Sequence, residues 1–437
     1  MTAATSAKSG SNIAPFPANY TRDAANQLAS DTSAASGTGS YKYTPLNQVC
    51  YAGSSSTTAC SSPPTGSIPY TYDAADNLTK KGTVFQAFNN ADELCWTASS
   101  SAACAAPPSG ATNYVYDTRG NRVGVTPSVG QAQTLTYDQA NRLSKFAAAT
   151  TTSYGYNGDG LRMCKYSGSS TQPCQATGNT PYVWDAAGSL PLLLKDGTTA
   201  YVYGPSGLPL EQVNSSATFW FHHDQLGSTR LVTNSSGGTA ATYTFDPYGG
   251  VASSTNPGGI TNPLLFCGQY QDVESGFLYL RARYYDTQTA QFISADPIVG
   301  QTRAPFGYVK NNPLNADDAS GLVQEPSGEG GNGGGLPLPP PGGWAIPGDG
   351  WCEASTNTWW FIVDMYYPDG TWAGMYTVDS GIPCFEWKYP LEPSRPIYPP
   401  RSTSPFPPLF PPLRPGTGPI IPTLPWPIRA VPLGCLL

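Results

Sequence analysis

YVYDTRGNRV, residues 114–123, alternates for three positions and then breaks into a turn. In an extended strand successive side chains point to opposite faces, so Tyr114 and Tyr116 share one face. Asp117 ends the strand, because its carboxylate can cap the backbone of the turn that follows. Gly120 or Asn121 then tolerates a positive φ, and Val123 restarts a strand. The stretch reads as strand–turn–strand.

The pattern recurs along the chain. YTYDAADNL begins at Tyr70, LTYDQANRL at Leu135, YGYNGDGLRM at Tyr154, YVWDAAGSL at Tyr182 and YVYGPSGLPL at Tyr201. YTRDAANQL at Tyr20 and FQAFNNADEL at Phe85 are degenerate copies, and YTFDPYGG at Tyr243 closes the series. In the fullest copies an Asp such as Asp73 caps, an Asn such as Asn141 turns, and an apolar residue such as Leu143 resumes. A generic set of hairpins does not account for so many Tyr-Asp recurrences. No unit can bury its aromatic face alone, so the units must stack.

Composition agrees. The 437 residues include 27 Tyr, 47 Gly and 44 Pro, with only 12% charged. This is the profile of turn-rich, extended β-structure. A net charge of −7 argues against a surface built for nucleic acid. No apolar run reaches transmembrane length. The N-terminus, MTAATSAKSGSNIAPFPANY, has no apolar core and does not read as a secretory signal. Export is therefore expected by another route, or the chain is the C-terminal piece of something longer.

The ten cysteines are informative by placement. CYAGSSSTTAC, CWTASSSAAC and CKYSGSSTQPC each bracket a Ser/Thr/Ala-rich excursion, pairing Cys50 with Cys60, Cys95 with Cys104 and Cys164 with Cys174. Disulfides at the base of each loop, and an oxidising destination, are the natural reading. Cys352 and Cys384 are a fourth candidate pair, and Cys267 and Cys435 are left over. The spacings are too long for a metal site and neither histidine is near. No metal or cofactor is expected.

HHDQLGSTRLVTNSSG (His222 to Gly237), GFLYLRARYYDTQTAQFISADPIVG (Gly276 to Gly300) and FGYVKNNPLNADDASGL (Phe306 to Leu322) follow the repeats. With the Tyr-Asp units, they resemble the RHS (YD-repeat) family and its RHS-repeat-associated core, over roughly residues 20–322. The resemblance implies an all-β fold in which a strip of strands spirals into a large shell, or cocoon, closed by the core as a plug. In toxin-bearing members the region after the core is a variable toxic domain, held in the shell and released by self-cleavage. The implied layout is a disordered segment 1–19, repeats 20–250, core 251–322 and a variable segment 323–437.

The family's core carries two Asp-Pro-x-Gly motifs with aspartates 22 positions apart. Asp296-Pro297-Ile298-Val299 and Asp318-Ala319-Ser320-Gly321 keep that separation, and Arg283 precedes Asp296 by the family's 13 positions. The resemblance implies catalysis by Asp296 and Asp318 with Arg283 assisting, and a cut at Leu322–Val323. The chemistry is coherent. Two close carboxylates share a proton, one serves as general base on water while the other donates a proton, and a guanidinium stabilises the oxyanion. Ala319 stands where the family has Pro, and Val299 where it has Gly. Both motifs can also be read as plain turns with Asp as turn-former. Asp317 is a competing carboxylate; the spacing selects Asp318.

Other candidates are weaker. His222 and His223 are adjacent on a strand and point to opposite faces, so with Asp224 they make a poor metal site. GYNGDGLR (Gly155 to Arg162) is too short and too poor in acids for a calcium loop. No Walker motif, GxSxG elbow or dinucleotide fingerprint is present, so no turnover enzyme is evident.

Residues 323–437 hold 24 of the prolines and 7 of the 10 tryptophans. EPSGEGGNGGGLPLPPPGG reads as a linker. TWWFIVDMYY and TWAGMYTVDSG flank Pro368-Asp369-Gly370 as a β-hairpin, and the tail from Pro390 has polyproline II character. The segment has no His, and its acids (Asp349, Glu353, Asp364, Asp369, Asp379, Glu386) read as solvated. Two functions follow. One is a self-cleaving shell and core of a bacterial polymorphic toxin, secreted or at the cell surface, with an immunity protein or secretion machinery as partners. The other is an uncut structural or surface protein whose aromatic grooves bind carbohydrate or protein.

Overall fold

Each aromatic-x-aromatic-Asp run folds as its alternation requires. In this computed structural model, which describes residues 3–4, 7–8, 11–12, 18–33, 37–188, 190–204, 207–326, 344–353, 358–366 and 372–383, strand Thr112–Tyr116 pairs antiparallel with Arg122–Thr126, and Tyr114 lies opposite Val125. Asp117 Oδ1 accepts the backbone N–H groups of Arg119 and Asn121, each at 2.9 Å. Asp73 does the same for Ala75 and Asn77. Gly120 (φ 77°) and Asn141 (φ 65°) take the left-handed turn position.

Two details differ from the sequence reading. Asn121 is not a left-handed residue; it is buried and its amide donates to Asp117 Oδ2 and Asn141 Oδ1. The inward residue that restarts the second strand is Arg122, not Val123, which is half-buried. Arg122 and Arg162 stand at the position where other units carry Leu28, Leu78 or Leu143, and both are fully buried.

Successive units form one 23-stranded antiparallel sheet among the described residues, made of Ala3–Ala4 and the 22 strands that run in chain order from Ala18–Arg22 to Val251–Thr255. A bulge precedes the second aromatic in unit after unit, at Thr71/Tyr72, Val115/Tyr116, Thr136/Tyr137, Gly155/Tyr156 and Val183/Trp184. That second aromatic donates to a backbone carbonyl of the preceding unit: Tyr43 to Leu28, Tyr72 to Val49, Tyr137 to Arg122, Tyr156 to Leu143 and Trp184 to Arg162. Each ring is thereby both packed and hydrogen-bonded, the arrangement that buried Tyr and Trp require. Within 1–19, expected to be disordered, short strands are described at Ala3–Ala4, Ala7–Lys8 and Ser11–Asn12, and the first pairs with Ala18–Arg22.

The aromatic face packs on a small four-stranded meander, Tyr270–Gln271, Leu278–Tyr279, Tyr284–Asp286 and Gln291–Phe292. Tyr20, Tyr43, Tyr70 and Tyr248 cluster with Tyr285, Phe292 and Tyr308. Leu135, Leu143, Phe146 and Tyr154 cluster with Phe277, Tyr279, Tyr284 and Ile293. Tyr182, Tyr201, Phe221 and Val232 cluster with Leu264 and Tyr270. One core segment thus serves repeats from early, middle and late in the chain.

The three bracketing pairs are disulfides: Cys50–Cys60, Cys95–Cys104 and Cys164–Cys174, with Cα separations of 5.6, 5.6 and 5.4 Å. Cys267 is free and buried. Gly155 sits against the third disulfide, where any side chain would collide with sulfur.

The chain divides into two units, Met1–Gly331 and Asn332–Leu437. In the second, Thr358–Tyr366 pairs antiparallel with Trp372–Pro383, Asp364 opposite Met375. A third strand not foreseen from the sequence, Trp344–Glu353, pairs with the other side of Thr358–Tyr366. The Pro368–Gly370 turn, Cys384, Cys435, the glycine- and proline-rich linker and the tail from Pro390 lie outside the described residues. Among the described residues, no helix is long and apolar enough to cross a membrane.

Arg122 and Arg162 meet acids of the core segment. Arg122 Nη1 lies 2.7 Å from Asp286 Oδ2, and Arg162 Nη1 pairs with Asp272 Oδ2. Five tyrosine rings surround the Arg162 guanidinium, at 4.5 Å for Tyr279 and 4.9 Å for Tyr182. Breaking a buried ion pair from one side strands a charge, at about 3–5 kcal/mol. Arg162→Met is therefore expected to lower unfolding free energy by about that amount in urea titrations, and Arg162→Met with Asp272→Leu to recover part of the loss.

Candidate active site

Arg283 begins the core strand Tyr284–Asp286, directly after a tight turn in which Leu280 N–H donates to Arg283 O (3.0 Å) and Arg281 adopts a left-handed φ of 64°. Its guanidinium bridges the two aspartates that the sequence spacing singled out. Nη2 lies 3.5 Å from Asp296 Oδ2 and 3.5 Å from Asp318 Oδ2. Nε donates to Gly321 O, and Cζ stands 3.6 Å over the Phe292 ring centroid. All three charged side chains are buried, with at most 4% exposure. Nη1 is buried without a hydrogen-bond partner among the described residues.

Each aspartate is positioned by its own turn. Asp296 Oδ1 accepts Ile298 N–H (2.9 Å), and Oδ2 accepts the Thr302 hydroxyl (2.8 Å), tying it to the short helix Val299–Thr302. Neither Val299 nor Gly300 has a positive φ, so this turn does not require glycine at 299. Asp318 Oδ1 accepts the Ser320 hydroxyl and Leu322 N–H, each at 3.0 Å. The turn without proline is held from outside: Arg281 Nη1 donates to Ala319 O at 2.9 Å, and Ala282 N–H to Ser320 O at 3.1 Å.

The bond after Leu322 sits at the rim of this cluster. The Gly321 carbonyl is held by Arg283 and the following Leu322 N–H by Asp318, so the peptide just upstream is clamped at both ends. Val323 N–H donates to Ser320 Oγ at 3.3 Å, and Val323 itself is 55% exposed. Asp317, the competing carboxylate, lies in the two-residue strand Ala316–Asp317 opposite Glu325, while Asp318 faces the guanidinium.

Burial pushes the Asp318 carboxyl above the usual carboxylate range, with Arg283 pulling it back. Burial also lowers Arg283, opposed by both aspartates. Two carboxylates around one guanidinium leave an excess negative charge away from water, and holding a proton on one of them relieves it.

The other candidates are structural. His222 Nε2 bonds Thr233 Oγ1 (3.1 Å), whereas His223 Nε2 bonds Pro209 O (2.6 Å) with its ring stacked on Phe221. Asn157 in the GYNGDGLR turn accepts Leu161 N–H as an ordinary turn cap. Among the described residues, no cluster of three His, Cys, Asp or Glu is arranged to hold a metal. Sequence reasoning missed Arg281, Phe292, Thr302 and Ser320. None carries a local signal, since Ser and Thr in turns are common and the two arginines differ only in what the fold puts beside them.

Residues 193–305 match the family model described as Teneurin YD-shell. The chain is 28% identical over 195 residues to the tRNA3(Ser)-specific nuclease WapA of Bacillus spizizenii, covering 43% of this chain and 7% of that protein. It is 35% identical over 105 residues to the toxin protein Tse5 of Pseudomonas aeruginosa, covering 24% of this chain and 8% of that one. The chain thus spans a small fraction of the length of these relatives. A solved structure of TcdB2-TccC3 without its hypervariable C-terminal region aligns with a TM-score of 0.47 at 18% identity, over 70% of this chain and 17% of that one.

Gly321 has a φ of 73°, and a Cβ there would lie 2.6 Å from Leu280 O and 2.9 Å from Arg283 N. Gly321→Ala is expected to cost roughly 1–3 kcal/mol through backbone strain alone. Gly300→Ala, which meets nothing within 4 Å, should stay within about 0.5 kcal/mol of the parent. Urea unfolding of the two variants checks the contrast.

Proposed function

We propose that the chain is an RHS/YD-repeat shell of the toxin type, and that the shell is followed by a self-cleaving junction that frees residues 323–437 by cutting Leu322–Val323. One observation carries this reading: a single buried guanidinium lies 3.5 Å from both Asp296 and Asp318 and also holds the carbonyl of Gly321, one residue before the bond.

The roles follow from the partners. Asp296 takes a proton from the attacking water. Asp318, whose carboxyl burial raises, supplies the proton that the departing nitrogen needs. Arg283 brings a buried, unpartnered Nη1 donor to the site, suited to the charge that develops on the Leu322 carbonyl oxygen. Release of the segment, an immunity partner for it and an export route belong to the same proposal. The three disulfides support an oxidising destination. The alternative, an uncut shell whose aromatic grooves bind carbohydrate or protein, finds less support, because Tyr70, Tyr154, Tyr182 and Tyr201 are turned inward and buried.

On a denaturing gel the wild-type chain should yield a fragment whose N-terminal residue is Val323. That fragment should vanish in Asp296→Asn and in Asp318→Asn but persist in Asp317→Asn. A wild-type chain that stays whole overturns the proposal. Because Asp318 acts in its protonated form, the protonated fraction falls as pH rises through its elevated pKa. Cleavage followed in a pH series should therefore be faster in mildly acidic than in mildly alkaline buffer.

A further inference from the structure

Resting on the cleavage reading above, we infer that Ser320 is a catalytic residue of the junction, passing a proton from Asp318 to the Val323 nitrogen. Three contacts carry this. The Ser320 hydroxyl donates to Asp318 Oδ1 at 3.0 Å. The same oxygen accepts Val323 N–H at 3.3 Å and Leu322 N–H at 3.1 Å. Asp318 has its own contacts elsewhere, Oδ1 on Leu322 N–H and Oδ2 facing Arg283. The hydrogen-bonded path from its carboxyl to the leaving nitrogen therefore runs through Ser320.

The step balances without an outside reagent. Water adds to the Leu322 carbonyl carbon and gives one proton to Asp296. As the C–N bond breaks, the Ser320 hydroxyl turns from Asp318 Oδ1 toward the Val323 nitrogen, gives it the hydroxyl proton and takes the proton of Asp318 in exchange, so both hydrogen bonds reverse their resting direction. The immediate products are the Leu322 carboxylic acid and the neutral Val323 amine, with one proton moved from Asp318 to Asp296; the new acid then gives its proton to the amine, leaving carboxylate and ammonium. Asp318 is suited to this because burial favours its neutral form. Ser320 is also half-buried, beside a bond between half-buried Leu322 and exposed Val323.

A hydroxyl that only shapes the turn would make some of the same contacts, so the test must separate the two roles. The full chain is made in a pulse of cell-free synthesis, and the uncut fraction is followed during a chase across a pH series. Ser320→Ala is expected to slow cleavage roughly 100-fold and to lose the decline with rising pH, since Asp318 no longer reaches the nitrogen. Ser320→Thr keeps the hydroxyl and should cut within a few-fold of wild type. Ser320→Ala cutting at the wild-type rate overturns the inference. So does a slower rate with the pH decline intact, which is the mark of a structural role. Failure of the cleavage reading itself is distinct, because there the wild-type chain remains whole.

Discussion

Arg162, paired with Asp272 inside a ring of five tyrosines, joins the repeat strip to its core. Two of the rings, Tyr154 and Tyr182, come from repeat strands; the other three, Tyr270, Tyr279 and Tyr284, come from the core segment. A charge buried among rings is tolerated only when its partner and the ring faces stay in place, so the pair sets how strip and core register. Tyr279 and Tyr284 flank the turn carrying Arg281 and Arg283. The contact that docks the core thereby also positions the guanidinium of the candidate site. Arg122 and Asp286 repeat the device at the end of the core strand Tyr284–Asp286.

Between these anchors the strip is held by short-range bonds that repeat with the units. The capping aspartate satisfies its own turn, and the second aromatic satisfies a carbonyl of the unit before. Such nearest-neighbour coupling makes each unit depend on the next, as in other repeat architectures. The disulfides close the longer loops on the edge away from the Asp turns, where Cys95–Cys104 packs against the Trp96 cluster and Cys50 and Cys164 are buried, and they restrict the unfolded chain.

The candidate site inverts the logic of the two structural pairs. There, each arginine meets one carboxylate; at Arg283, one guanidinium meets two buried carboxylates. Burial of Asp318 beside the second acid raises its carboxyl, with Arg283 pulling it back. Ala319 shows how far the scaffold can stand in for a local motif. The rigidity that a proline would supply is replaced by Arg281 and Ala282, which hold the carbonyls of Ala319 and Ser320 from across the core.

Much was legible because it is local. Tyr-x-Tyr-Asp alternation, the Asp cap and the bracketing cysteines involve residues within about ten positions, and period and turn chemistry suffice for them. Arg122 and Arg162 gave one legible sign, a charge in the column that holds Leu28, Leu78 and Leu143 in other units, but their partners lie far off in the chain and nothing local names them. For the site, the spacing of Asp296 and Asp318 marked the residues through a family resemblance. That both carboxylates face one guanidinium, and that Ser320 stands between Asp318 and Val323, was decided only by the tertiary structure. The physical reason is that a buried cluster of one guanidinium and two carboxylates depends on distance and burial, and both are created when the core segment folds against repeats more than a hundred residues away.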